Sequence, residues 1–264
     1  MLTEVKNQFK ISFLSIKYAL MREMVNKTTF ISNIIFMILN NASFIIQWIV
    51  LFSIKDNIGG YTLKEVLLLW GIASGTYGVS RFFFKNAFSL SQTIINGKLD
   101  SYLVQPKNVL LSAITTSVEA SALGDIIYAY IILFIYGFSI KNFILYTFFT
   151  IMGGFIITAI SVILSSLSFW ISSSESITET GNNLMTNFAT YPDGIFKGIV
   201  KVLLYTIIPI GIVNYLPIQL IISFKLSTFI YVVAVAITFI ALAFIIFYKG
   251  LRRYSSSNLM IAKM

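Results

Sequence analysis

The chain has 264 residues, of which 57% are hydrophobic and only 11% are charged. An average soluble domain carries about 25% charged residues, so this composition, with a mean hydropathy of +0.86, excludes a soluble globular domain and a disordered chain. The sequence has neither Cys nor His, which excludes thiol chemistry and removes the commonest metal ligand and general base. We therefore expect no catalytic residue, no metal site and no cofactor-binding site in this chain.

Residues 1–27 are predicted to form an amphipathic helix. Apolar side chains recur there at spacings of three and four, which places them in one stripe: Leu2, Val5, Phe9, Phe13, Ile16, Leu20 and Met24. A helix of this kind is expected to lie along the inner face of a membrane. It serves either as a topology anchor alone or also as a cradle for a cytoplasmic partner.

Six apolar segments follow, and each is expected to cross the membrane, because a spanning helix needs about 20 mostly apolar residues. The predicted spans are residues 28–54, 61–80, 119–140, 143–170, 199–214 and 226–248. The polar stretch Ser172–Asn187 is predicted to be a loop. Because Pro209 and Pro217 exclude one straight helix, the fifth span is expected to end near Asn214, before a broken or re-entrant outer segment.

The net charge of +9 indicates an orientation in the membrane. If the N-terminus lies inside, 15 of the 19 Lys and Arg residues face inward, as the positive-inside rule requires. The four outer basic residues are Lys55, Lys64, Lys141 and Lys225. We therefore expect both termini in the cytoplasm.

The loop between the second and third spans, residues 81–108, contains the string Asn-Gly-Lys-Leu-Asp-Ser-Tyr-Leu-Val-Gln-Pro. Gly97 is typical of a helix C-terminus, and Pro106 would stop a following helix. Asp100 or Ser101 is expected to cap that helix. The pattern thus predicts one short amphipathic helix between two breaks.

This string resembles the Gly-x-Leu-Asp-x-Tyr-Leu-x-x-Pro signature of bacterial type-2 ABC transporter permeases, the six-span membrane subunits of ATP-driven exporters. The layout is similar too, including a short Tyr191-Pro192 element before the fifth predicted span. The resemblance implies an all-α polytopic membrane protein of type-2 ABC permease architecture. It further implies a single permease domain over residues 1–264, located in a bacterial inner or plasma membrane.

The resemblance implies that the loop is a coupling helix that docks into a separate cytoplasmic ATPase subunit. The implied coupling residues are Gly97, Leu99, Asp100, Tyr102, Leu103 and Pro106. Three of them, Leu99, Tyr102 and Leu103, stand at helical spacing and are expected to form an apolar docking knob. The alternative is an interfacial helix that only caps the bundle.

The expected function is therefore that of an exporter permease that moves an amphipathic substrate, such as a peptide, drug or lipid. A second permease subunit, identical or related, is the expected partner across the membrane. The sequence contains no Gly-x-x-x-x-Gly-Lys-Ser/Thr loop, so ATP and Mg are expected on the partner ATPase instead of on this chain. We expect no nucleic-acid partner.

Glu119 and Asp125 mark an intramembrane polar site near the start of the third span, and such residues are functional candidates by default. Either they pair with neighbouring polar groups, or they relay ions, which would make the chain an ion-coupled secondary transporter. A membrane enzyme acting on lipids is a further rival, which the lack of His and Cys disfavours. In the fourth span, small residues follow one face, either for helix packing or as a pathway lining: Gly154, Thr158, Ser161, Ser165 and Ser168.

Overall fold

The computed structural model describes residues 2–171 and 174–255, and within these ranges it is built from helices without a β-strand. The helices are α1 (Leu2–Glu23), α2 (Lys27–Ile54), α3 (Leu63–Phe84), α4 (Leu90–Ile95), α5 (Asp100–Leu103), α6 (Val109–Ile114), α7 (Ala122–Gly137), α8 (Ile140–Ser166), α9 (Ser174–Ala189), α10 (Gly198–Thr206), α11 (Leu216–Ile222) and α12 (Leu226–Leu251). The prediction of an all-α fold is confirmed.

Three helices, α2, α8 and α12, are long and apolar enough to cross a membrane by themselves. The helix pair Gly198–Thr206 and Gly211–Ile222 meets the same criterion only when taken together, and it is bent by 71°. The count of six crossings therefore stays a prediction.

The bundle is organised around α3, which packs against α7 and α8 through small residues. A Cβ atom placed on Gly71 would lie 2.6 Å from the hydroxyl of Tyr146 on α8, and one on Gly75 would lie 2.8 Å from Thr150 Cγ2. Such positions let helix backbones approach closely. Because α3 is buried inside the bundle, its Gly, Ser and Thr residues meet protein instead of lipid.

Helix α1 contacts the bundle through its polar face. The side-chain carbonyl of Gln8 accepts the backbone N–H of Asn108 at 2.9 Å, and Ala19 is buried. Phe9 and Phe13 are 73% and 68% exposed, so the apolar stripe remains open, as expected for a helix in the membrane interface. The side chains of the two other N-terminal stripe residues, at positions 2 and 5, lie outside the described residues.

The long helices connect two ends of the bundle. The predicted cytoplasmic end contains residues 85–121, between α3 and α7. The predicted outer end contains residues 55–62 between α2 and α3, residues 138–139 between α7 and α8, and residues 223–225 between α11 and α12.

The sequence predicts a loop over Ser172–Asn187, but residues 174–187 are helical and belong to α9; residues 172–173 lie outside the described ranges. At the start of this helix, α9, the side-chain amide of Gln92 donates to Glu175 Oε1 at 2.5 Å. Beyond its end, the ring of Tyr191 packs edge-on against Trp48 with centroids 5.9 Å apart. Since Gln92 lies at the predicted cytoplasmic end and Trp48 lies towards the outer end, α9 runs the length of the bundle.

A search for uninterrupted apolar segments misses α9 because its buried face is itself polar. The hydroxyl of Ser161 on α8 donates to Asn182 Oδ1 at 2.8 Å, and the hydroxyl of Ser168 is 2.6 Å from that of Ser174. Two of the five small residues predicted on the fourth span, Ser161 and Ser168, thus hold α9 by hydrogen bonds. The 16 residues of α9 extend about 24 Å along the bundle.

The fifth predicted span, residues 199–214, is not one continuous helix. Helix α10 ends at Thr206, and a π-helical turn, Gly211–Tyr215, precedes α11. A Cβ atom on Gly153, midway along α8, would lie 3.2 Å from Val213 Cγ1. The chain therefore enters from the predicted outer end, turns near the middle of the bundle and returns to the outer end as α11, which leads into α12.

This arrangement corrects the expectation that the span ends near Asn214. Asn214 lies in the deep turn of a re-entrant hairpin, which we define as residues 198–222, and its side-chain amide donates to Ala189 O at 2.9 Å. As a consequence, Lys197 and Lys201 belong to the predicted outer end. With Lys197 and Lys201 counted as outer residues, 13 of the 19 Lys and Arg residues remain on the inner side. The predicted orientation therefore still places most basic residues inside.

Candidate functional site

A groove of about 400 Å³ lies between α2, α3 and α9, between the two ends of the bundle. We call it the lateral groove. Much of its lining is polar although the groove lies at membrane depth, and examples are Asn40, Asn41, Gln47, Ser74, Asn187 and Thr190. Aromatic side chains line the remainder, including Trp48 and Trp70.

Two exposed polar faces flank the lateral groove. On α2, Asn33, Asn40 and Gln47 recur every seven residues and are exposed, so they lie on one face of the helix. On α9, Asn183 and Asn187 are exposed in the same way. Lipid tails cannot hydrogen-bond to amide side chains, so these faces require water or another protein surface.

Asp125 lies at the base of the lateral groove and is 8% exposed. The side-chain amide of Asn41 donates to Asp125 Oδ1 at 2.6 Å, and the Ser74 hydroxyl donates to the backbone carbonyl of Asp125 at 2.9 Å. Glu119 lies apart, where its carboxylate faces the guanidinium of Arg81 at 3.7 Å. The two predicted acidic residues therefore have different hydrogen-bond and ion-pair partners.

The loop between α3 and α7 has the two predicted breaks. Gly97 adopts a φ of +68°, a left-handed conformation that favours glycine. The backbone N–H of Lys98 closes the end of α4 by donating to Thr93 O at 3.0 Å. The short helix α5 follows before Pro106, in the predicted place.

The expected N-cap of α5 is wrong, because neither Asp100 nor Ser101 caps it through a side chain. Leu99 occupies the N-cap position, and the hydroxyl of Ser101 instead donates back to Lys98 O at 2.9 Å. The turn that follows Gly97 already positions this backbone, so the helix begins without a capping side chain.

The exposed apolar surface of α5 differs from the predicted knob. Leu99 is fully buried and packs in a core cluster that includes Phe247 of α12, so its predicted place on the docking surface is wrong. Tyr102 is half-buried, with its hydroxyl 3.3 Å from that of Thr116. Leu103 is 43% exposed and Val104, which the sequence reading did not single out, is 84% exposed.

Asp100 connects α5 to the end of α12. Burial and then the nearby Asp100 carboxylate raise the pKa of the Tyr254 hydroxyl to about 12. Tyr254 also belongs to the residues packed against the cluster that contains Leu99. The cluster around Leu99 thus packs α5 against α12, and Asp100 lies close to Tyr254, three residues beyond the end of α12.

The predicted outer end has a polar cluster centred on Asp193. The carboxylate accepts the hydroxyls of Tyr61 and Tyr205, each at 3.0 Å, and pairs with Lys201 Nζ at 3.1 Å. Burial and then Asp193 raise the pKa of Tyr61 above its ordinary value, so this hydroxyl stays a donor. The cluster ties the re-entrant hairpin to the α2–α3 loop. Sequence reasoning missed it because Tyr61 and Asp193 are 132 positions apart.

Comparison with known proteins identifies one family. A family model described as "ABC-2 family transporter protein" matches residues 37–258. The matched region includes most of α2, the loop containing α5, the lateral groove and the re-entrant hairpin. No curated protein and no solved structure matches the chain.

Proposed function

The chain belongs to the ABC-2 transporter family, and on this premise we propose that it is the permease of an ATP-driven exporter. The family consists of membrane subunits that generally lack an ATPase of their own. Together with the apolar helices, membership makes the chain a multi-pass membrane protein and an ABC transporter permease. Export as the direction, and an amphipathic peptide, drug or lipid as the substrate, are parts of the proposal.

One observation carries this proposal furthest, namely the polar lateral groove at membrane depth. Amide side chains such as Asn40 and Asn187 line it, and they cannot face lipid without loss of hydrogen bonds. A second permease subunit, identical or related, would enclose the groove as half of a water-accessible pathway. The helices α2, α3, α7, α8, α9 and α12 then form the six crossings, with both termini in the cytoplasm.

The energy for transport comes from ATP and Mg bound to separate cytoplasmic ATPase subunits. In the proposed mechanism these subunits contact α5 through Leu103 and Val104, and Pro106 ends the contacting segment. Movement of α5 passes to α12 through Leu99 and Asp100. At the other end, the re-entrant hairpin closes the pathway.

The rival function, an ion-coupled secondary transporter, needs Asp125 and Glu119 to relay ions. Their different partners give this rival less support, since Glu119 faces Arg81 and Asp125 is bonded to Asn41. A continuous relay requires groups within hydrogen-bond reach of one another.

Co-purification tests the proposed function. The full-length chain, isolated from its native membrane, is expected to retain an ATP-hydrolysing subunit. Val104→Asp is expected to release that subunit, because a charge replaces an exposed apolar contact. Val25→Asp is the matched control, since both valines are 84% exposed and Val25 follows α1. If no ATPase accompanies the chain, or both variants retain it equally, the proposal is contradicted.

A further inference from the structure

The base of the lateral groove has an acidic side chain without a basic partner. Asp125 lines the cavity, and its carboxylate has only neutral hydrogen-bond partners, Asn41 and Ser74. Within residues 2–171 and 174–255, no ion pair joins Asp125 to Lys or Arg. A carboxylate at membrane depth is costly without a counter-charge, so a cation that enters the groove would find a favourable partner there.

The charged groups near Asp125 leave one negative charge uncompensated. Arg81 also lines the groove, but its guanidinium faces Glu119 at 3.7 Å and lies over the Phe88 ring at 5.3 Å. A Cβ atom placed on Gly78 would lie 3.0 Å from Asp125 Cβ, and Gly78 precedes Arg81 by three residues on α3, so Arg81 begins about one helical turn from Asp125. One positive group, Arg81, thus faces two negative groups, Glu119 and Asp125, and of the two acidic residues it is Asp125 that lines the groove.

Aromatic rings provide a second reason to expect a cation. Phe44 and Trp70 stack with ring centroids 5.1 Å apart, and Trp48 contacts Tyr191 edge-on; all four line the lateral groove. The faces of aromatic rings attract cations, and the rings also bury apolar groups. The volume of about 400 Å³ lies in the range of pockets for small organic molecules and far exceeds that of a bare metal ion.

We propose that the lateral groove selects amphipathic organic cations, in which an ammonium or phosphonium centre is carried on an aromatic or apolar body. Asp125 is the specificity-determining residue, and the aromatic side chains hold the body of the ligand. This inference rests on the proposed function, because it takes the groove as the transport pathway. It narrows the amphipathic substrates to cationic ones and places anionic lipids among the poor ligands.

The binding experiment uses two probes of nearly the same shape and opposite charge. Tetraphenylphosphonium and tetraphenylborate are each titrated into the full-length chain in neutral detergent, and tryptophan fluorescence reports binding through Trp48 and Trp70. The cation is expected to quench this fluorescence saturably. Asp125→Asn is expected to weaken its binding about 10- to 100-fold, the effect of losing one desolvated charge interaction. Asp56→Asn, the same change in an exposed loop, is expected to leave binding unchanged.

A second variant keeps the test decisive if Asp125→Asn fails to fold. Asn40 is exposed in the groove, so Asn40→Lys adds a positive charge without breaking the Asn41–Asp125 hydrogen bond. It is expected to weaken cation binding about tenfold or more. Equal binding of tetraphenylborate, unchanged affinity in the folded variants, or a saturable response only to Na⁺ or protons would overturn the inference.

The outcomes also separate this inference from the proposed function. If an ATPase subunit co-purifies with the chain but tetraphenylphosphonium does not bind, cation selection is wrong and the permease proposal stands. If no ATPase subunit is retained, the exporter proposal is wrong whatever the cation does.

Discussion

Asp193→Ala is expected to loosen the re-entrant hairpin without unfolding the bundle. The change leaves the hydroxyls of Tyr61 and Tyr205 without their acceptor. Tyr61 is buried, so its lost charge-assisted hydrogen bond costs about 2–3 kcal/mol, and that of the half-buried Tyr205 about 1 kcal/mol. Lys201 is 46% exposed, and its ion pair contributes at most about 1 kcal/mol. The total is about 3–5 kcal/mol.

Hydrogen exchange of the α10 backbone amides measures this loss. At about 1.4 kcal/mol per tenfold change, local opening is expected to become roughly 100- to 3,000-fold more frequent. Asp193→Asn keeps a carbonyl acceptor, so a smaller change of about tenfold is expected. Lys201→Ala removes only the exposed ion pair with Asp193 and serves as the control. It is expected to change the opening frequency of α10 by a few-fold at most.

The exchange rates in α12 are expected to stay unchanged in all three variants, because the hydrogen-bond and ion-pair partners of Asp193, namely Tyr61, Tyr205 and Lys201, lie on other segments. If Asp193→Ala leaves α10 exchange within a few-fold of the unmodified chain, the cluster does not hold the hairpin. If Lys201→Ala matches the effect of Asp193→Ala, the exposed ion pair dominates and the burial argument is wrong.

Two further predictions concern topology and packing. The chain has no Cys of its own, so single-cysteine labelling is direct. Lys197→Cys is expected to react with a membrane-impermeant maleimide in intact cells, and Lys98→Cys only after permeabilisation. If both react only after permeabilisation, the two residues lie on the same side and the path of α9 is refuted. Leu99→Ala is expected to lower the free energy of unfolding by about 2–5 kcal/mol, whereas Leu103→Ala, at an exposed position, changes it by about 0.5 kcal/mol or less. Denaturant unfolding in detergent measures both losses. Equal losses would refute the assignment of Leu99 to the core.

Local sequence patterns predicted the loop between α3 and α7 well. Gly97 ends α4 and Pro106 follows α5, because a left-handed glycine and a proline each impose a backbone conformation through their own covalent structure. Which side chains face outward was not predictable from α5 alone. Leu99 is buried in a cluster that includes Phe247, a residue on another helix and distant in sequence.

The two acidic residues at the third predicted span show the same difference between what the sequence specifies and what only the packed structure specifies. The sequence established that Glu119 and Asp125 are ionisable residues at a predicted span. Only the packed structure shows that one faces Arg81 and the other faces Asn41 at the base of a groove. Ion pairs and hydrogen bonds between helices depend on helix rotation and depth, which no short segment of sequence specifies.

The amino-acid composition by itself determined that this chain belongs in a membrane. So few charges cannot cover the surface of a soluble domain of this size, and the basic residues still fall mainly on one side. Only the tertiary structure decided which segments run between the ends of the bundle. Helix α9 is rich in polar residues and still runs between them, because the segment of α8 and its extension bonds to one of its faces and another face lines the lateral groove. The more apolar segment 198–222 folds back on itself instead. A hydropathy scale scores how readily each residue leaves water for lipid, but a residue inside a bundle contacts protein or water instead of lipid.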